Sequence, residues 1–308
     1  MEGHKMVRQY KIHTNMDEPT KNKTWDVTKG KLRFYEPSNL GIEVVNNMWG
    51  TDGIGVLGNR SVNQPNLEFK LETFGLTLKE NYDMFTEFVN DLLSVRYVTL
   101  EYQTESFQVF ADIALVNVTK TEGYGQHGQF SETIEFEMVT KWYTFENLTF
   151  KTLQNGEIIE GKSKIYGGQA PKEGYRYIQN QAYTYYGETD IGRLSRWDID
   201  SPFFSFIARL TPTKGLADNQ EYGLQFLNPN GNQYSAILFT FEKAPDQIEI
   251  NTDVNDEYYL SVIGTNTVNA FPELDFQAYR TRIFTKGQMI MKNLSNVEIR
   301  VKRKVDFI

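Results

Sequence analysis

The chain contains no cysteine. That removes disulfide frameworks, thiolate zinc sites, iron–sulfur clusters and cysteine nucleophiles in one step. Stability must therefore come from burial and assembly. Histidine is almost as scarce, with only His4, His13 and His127. A histidine metal site or a Ser/His/Asp triad would have to use His13 from an N-terminal strand or His127 from a glycine-rich loop, and surface or loop histidines are the expectation. No run approaches the roughly 20 apolar residues that span a bilayer, and Met1–Lys5 lacks the apolar core of a secretion signal. The expectation is a soluble chain made in the cytosol and delivered by some route other than secretion. Basic charge is missing too. The net charge is −8; residues 1–148 carry 14 Lys+Arg against 21 Asp+Glu, and residues 149–308 carry 18 against 19. Neither half has the basic footprint of a nucleic-acid-binding protein, and the acidity belongs to the first half.

What is present is aromatic and β-branched. Apolar residues make up 40% of the 308 residues, with 18 Tyr and 21 Phe against 4 Trp and 8 Met, which suits sheets better than helix bundles. Strands are predicted at Val7–His13, Thr24–Val27, Lys31–Tyr35 and Asn66–Glu72, where Leu67, Phe69 and Leu71 alternate with Glu68 and Lys70. One amphipathic helix interrupts them. Thr77-Leu78-Lys79-Glu80 is a capping box, in which Thr77 accepts from the Glu80 amide and Glu80 reaches back to the Thr77 amide. Leu78, Tyr82, Phe85, Val89, Leu92 and Leu93 then share a face up to about Val95. Strands resume at Tyr97–Gln103, Phe107–Asp112, Leu115–Thr121 and Glu132–Thr140, with Gly123–Gly128 as a hairpin tip.

The character of the chain changes near Tyr143–Asn147, which divides it into domains at 1–147 and 148–308. Residues 151–192 are rich in Gly, Lys and Tyr with weak periodicity, and Tyr166, Tyr175, Tyr177, Tyr183, Tyr185 and Tyr186 crowd together there. A projecting segment that binds a partner is one reading, because a tyrosine ring combines contact area with a polar handle; a self-packed hairpin is the other. Beyond Trp197, eight strands from Phe203–Leu210 to Val297–Lys304, Arg280–Phe284 among them, have the spacing of a β-sandwich.

Three motifs invite chemistry and fail on context. Gly53-Ile54-Gly55-Val56-Leu57-Gly58 has the letters of a dinucleotide fingerprint, but Pro65 follows and no helix opens on it, so a mobile loop is expected. Asp253-Val254-Asn255-Asp256-Glu257 starts like a calcium loop, yet Tyr258 stands where glycine is required and Gly264 where the closing glutamate belongs; a turn between strands is expected. Arg300-Val301-Lys302-Arg303-Lys304 reads as an edge strand protected by charge, or as a contact for an acidic partner. No catalytic, cofactor-binding or metal-binding set of residues emerges.

Longer stretches carry a resemblance. Met6-Val7-Arg8-Gln9-Tyr10-Lys11-Ile12-His13-Thr14-Asn15, Phe69–Gly75 before the capped helix, Tyr97–Glu105 and Thr140–Tyr143 in the first half, then Thr184–Glu188, Arg193–Ile199, Ile250–Glu257 and Tyr279–Ile283 in the second, resemble the distal tail proteins of lactococcal siphophages over essentially Met6 to Ile308. The resemblance implies a mainly β protein. Its N-terminal belt-type domain with one helix would form a six-membered ring at the distal end of the phage tail. Its C-terminal domain would be a galectin-like β-sandwich carrying an arm-and-hand extension, placed here within 148–195, with 211–235 as the competing site. It further implies a non-enzymatic hub that joins the tail tube, the tail-tip plug protein and trimers of the receptor-binding protein. An acidic first half would then line the passage for DNA, where like charge lets a polyanion slide. The galectin likeness raises one alternative, a carbohydrate-binding module built on Trp197 with Arg193 or Arg196. A cell-wall hydrolase is a third reading that no constellation supports.

Overall fold

The computed structural model describes residues 8–18, 21–51, 54–123, 127–152, 183–184, 193–197, 204–228, 230–279 and 287–305. The chain divides into two compact units, Met1–Thr144 with Lys304–Ile308, and Phe145–Arg303. Both are built of strands, and the described residues contain one α-helix.

In the first unit the strands are β1 (Gln9–Thr14), β2 (Lys23–Asp26), β3 (Leu32–Ser38), β4 (Glu43–Thr51), β5 (Ile54–Asn63), β6 (Leu67–Thr73), β7 (Val98–Gln103), β8 (Gln108–Val118) and β9 (Ser131–Met138), with α1 at Leu78–Leu93. The pairing order is β2–β1–β7–β8–β9–β6–β3. Two strands were predicted across Phe107–Thr121; the structure has one, β8. Its first half pairs with β7 and its second half with β9, and a register shift between Leu115 and Asn117 bends it from one sheet into the other. The two inner faces meet where the Tyr10 and Phe69 rings lie 5.5 Å apart.

Half of the capping box forms as expected, with Thr77 Oγ1 accepting from the Glu80 amide at 3.1 Å. Glu80 reaches the Leu76 amide at 2.7 Å and not that of Thr77. The buried stripe of α1 is Asn81, Phe85, Phe88 and Leu92, so it is rotated from the predicted face, and Leu78 and Leu93 are exposed. Phe88 packs on Trp25 and Phe34, and Phe85 and Tyr82 pack on Phe130. Asn81 is the unexpected member. Its Oδ1 accepts from the Gly75 amide at 2.7 Å, and its Nδ2 donates to the carbonyls of Thr77 (3.1 Å) and His127 (2.8 Å), satisfying backbone groups that burial would otherwise strand.

In the second unit the strands are β10 (Tyr143–Thr152, most of it here), β11 (Tyr183–Thr184), β12 (Arg193–Trp197), β13 (Phe204–Pro212), β14 (Gln220–Leu227), β15 (Gln233–Phe241), β16 (Gln247–Asn251), β17 (Tyr258–Ile263), β18 (Asn266–Asn269), β19 (Gly287–Lys292) and β20 (Leu294–Lys304). One sheet runs β18–β17–β16–β13–β20–β10 and the other β12–β19–β14–β15. Phe206, Ile250 and Ile299 of the first share one core with Leu224, Phe239 and Met291 of the second, which makes a β-sandwich. The open edge of β15 is covered by the segment after Leu274, where Asp275 N–H donates to Leu238 O at 2.8 Å. The predicted strand Arg280–Phe284 lies outside the described residues.

The Arg300–Lys304 run is not an edge strand: β20 lies inside its sheet, flanked by β13 and β10. Lys302 is buried and donates to Asp253 Oδ2 at 3.1 Å, and the Arg300 guanidinium lies over the Phe145 ring. Asp253 also accepts from the Asn255 amide at 3.1 Å, so the Asp253–Glu257 segment is a turn whose first carboxylate already has a lysine partner.

Candidate assembly surfaces

β3 and β6 form a hairpin, pairing from Leu32↔Thr73 to Ser38↔Glu68. After a register shift between Tyr35 and Ser38, β4 and β5 continue in the register of Ser38↔Glu68, from Glu43↔Asn63 to Asn46↔Arg60, and a second shift then leads to Met48↔Leu57 and Trp49↔Val56. The near half is built into the unit, with Leu32, Phe34, Leu67, Phe69 and Leu71 buried. Among the described residues the far half pairs with no other strand. Side chains alternate along a strand, so Met48 and Leu57 lie on one face and Trp49 and Val56 on the other. All four are exposed, Trp49 at 67% and Met48 at 65%. Large apolar groups exposed on both faces of a ribbon mark an interaction surface.

Ile54–Gly58 of the Gly53–Gly58 motif belong to β5 of this ribbon, a strand where a mobile loop was expected; Gly53 lies outside the described residues. Gly58 has a packing reason, because a Cβ there would lie 3.0 Å from both Asn47 O and Trp49 Nε1. Sequence reasoning missed β4 and β5 because a ribbon without a core partner has no inside and outside to alternate between. The available signal was β-branched and aromatic content with little charge.

His13 is not a surface residue. It sits in β1, buried, with Nε2 2.8 Å from Glu101 Oε2 and Nδ1 2.9 Å from Thr24 Oγ1. Glu101 also accepts from Lys11 Nζ at 2.9 Å and Gln108 Nε2 at 2.8 Å. The hydrogen bond from His13, aided by Lys11 and Gln108 and opposed by burial, holds the Glu101 carboxyl down at about 2. The cluster ties β1, β2, β7 and β8 together and leaves the carboxylate no free face for catalysis. A cavity of about 240 Å³ borders β3, β6 and β9, lined by Glu36, Glu68, Lys70 and Glu132 among others. Its lining is charged, unlike the apolar pockets that take small ligands. Among the described residues no group of three or more His, Asp or Glu could hold a metal ion, and no helix is long and apolar enough to cross a membrane.

Of the six tyrosines singled out for partner binding, Tyr166, Tyr175, Tyr177, Tyr185 and Tyr186 lie outside the described residues. Tyr183 is in β11, which pairs in parallel with the end of β10. Arg193, Arg196 and Trp197 are in β12, paired with β19; their side chains are not among those described.

A family model for the distal tail protein N-terminal domain matches residues 9–139, and one for the Dit C-terminal domain matches residues 141–308. The distal tail protein of Lactococcus phage p2 is 59% identical over 303 residues, 98% of this chain and all of the relative. The chain belongs to the distal tail protein family. The distal tail protein of Lactococcus phage SK1 is 57% identical over the same span. Among solved structures, a chain of the phage p2 baseplate in its activated conformation with calcium matches with a TM-score of 0.79 at 59% identity, over 98% of this chain and 100% of that one. The Dit protein of phage SPP1 shares the fold at 11% identity and a TM-score of 0.50, over 96% of this chain and 99% of that one. The distal-tail resemblance read from the sequence is thereby borne out, as is the mainly β class. The chain is a structural protein of the phage tail baseplate, and the carbohydrate-module alternative is not favoured.

Proposed function

We propose that the chain is a non-enzymatic hub subunit. Six copies close into a ring at the distal end of the tail through the first unit, proposed as a ring-forming domain over 1–147. The ring joins the tail tube to the tail-tip plug protein, and the galectin-like second domain, over 148–308, holds trimers of the receptor-binding protein. The protein is made in the host cytoplasm and carried into the virion. Relatives that occur in a baseplate support this reading, and the observation that carries it is the projecting ribbon of β4 and β5. A head-to-tail contact whose rotation closes gives a ring, and such a contact needs a surface that does not match itself. A ribbon with an exposed tryptophan at its far end supplies one.

The grip is assigned to an extension within 148–195, with Tyr166, Tyr175, Tyr177, Tyr183, Tyr185 and Tyr186 as its contact residues. The acidic first half would face the passage for DNA. Light scattering and negative-stain imaging of the purified chain test the ring: a six-fold ring with a central hole is expected, and a strict monomer at high concentration would count against it. Replacing the six tyrosines by serine should abolish capture of the receptor-binding protein while leaving the ring intact. Capture that survives would move the grip elsewhere, with 211–235 next to examine.

A further inference from the structure

The hairpin from Leu32 to Thr73 runs through two register shifts and two very different environments. Near its base, β6 has a second neighbour in β9 and the alternate side chains of both strands are buried. Beyond Glu43 only Val44 and Val62 are even half-buried among the described side chains of β4 and β5; the rest are exposed. A two-stranded ribbon without a core is marginal in water. Ordering its backbone costs conformational entropy at every residue, and glycines within strands raise that cost. Gly50, Gly55 and Gly58 all lie within these two strands. What order the far half has comes from its own pairing and from the anchored base it continues.

We infer that the far half is a strap that frays in the free protein and orders when it lies against a second copy of this chain. This rests on the ring reading above. Two observations favour a second copy as the occupant. The first is charge. Two molecules of net charge −8 can approach only where like charge is thin, and from Glu43 to Asn63 the ionisable residues are Glu43, Asp52 and Arg60 alone. The second is the apolar pairs on opposite faces, Met48 with Leu57 and Trp49 with Val56, which together need cover on both sides, as a strap laid into a neighbour would receive. Assembly is then coupled to folding. The ordering cost weakens the first contact, so incomplete rings come apart, while a closed ring orders every strap.

Hydrogen exchange read by mass spectrometry on the full chain, in dilute monomer and in assembled ring, tests this. In the monomer, peptides from 43–63 should exchange on the order of ten-fold or more faster than peptides from β6, and ring formation should close that gap. Ribbon amides as protected as β6 in the monomer would overturn the proposal, as would a ribbon that stays unprotected in the ring; neither result would touch the ring reading. Absence of any ring in light scattering would overturn the ring reading and the second-copy occupant together. The double variant Trp49→Ser, Val56→Ser should leave the monomer's melting temperature unchanged and shift assembly to higher concentration. A lowered monomer melting temperature would mean that the ribbon already packs on its own chain.

Discussion

His13 Nε2 lies 2.8 Å from Glu101 Oε2, joining two strands whose residues stand 88 positions apart in the chain. Glu101 ionises at about 2 in the folded protein against an ordinary value of 4.5, so the folded state favours its charged form. The stabilisation is present above pH 4.5 and is lost as pH falls from there through about 2. Thermal melting followed across that range should show a destabilisation of up to about 3 kcal/mol that Glu101→Gln abolishes. An unchanged acid limb in the variant would show that other carboxylates dominate acid unfolding.

Asn81 holds the segment before α1, the first turn of the helix and the backbone at His127 with one amide group. Asn81→Leu keeps the volume and removes every one of those bonds. Urea unfolding should give a loss of about 2–4 kcal/mol, because buried backbone groups are left without partners. Thr77→Ala, which removes only the cap, should cost about 1 kcal/mol.

Lys302 and Asp253 form a buried ion pair inside the second unit. Lys302→Met alone should destabilise by about 3–5 kcal/mol, since it leaves a buried carboxylate uncompensated. Adding Asp253→Leu should recover most of that loss in denaturant unfolding, as the pair replaced by apolar groups avoids the desolvation cost. A double variant no more stable than the single one would show that the Asp253 turn, and not the pair, matters most.

Gly223 has φ +148 and faces β15 so closely that a Cβ would lie 2.0 Å from Ile237 O. Gly223→Ala should therefore cost at least about 3 kcal/mol, or prevent soluble expression, by forcing β14 and β15 apart. Circular dichroism and melting of the variant measure it, and near-normal melting would mean that the strand shifts at little cost.

Much of this was legible before any coordinates. The alternation at Leu67–Leu71 and the cap at Thr77 report local physics: a strand or helix edge needs apolar side chains at its own period and a partner for its first amides. The absence of cysteine and the acidic first half needed no structure at all. The family itself could be recognised from long stretches of sequence.

What the tertiary structure alone decided is which distant residues share a face. Asn81 and Phe88 replaced Leu78 and Leu93 in the buried stripe because the cover comes from Phe130, Phe34 and the backbone at His127, none of it local to the helix. The basic run at Arg300 became an interior strand because β13 flanks it and Asp253 neutralises Lys302. The glycine-containing stretch Ile54–Gly58 became half of a ribbon because it continues a hairpin anchored at its base by Leu32, Phe34 and Leu71, in a core the ribbon never reaches. Local pattern encodes period and capping; pairing and cover are relations between segments far apart in the chain, and only the folded chain sets them.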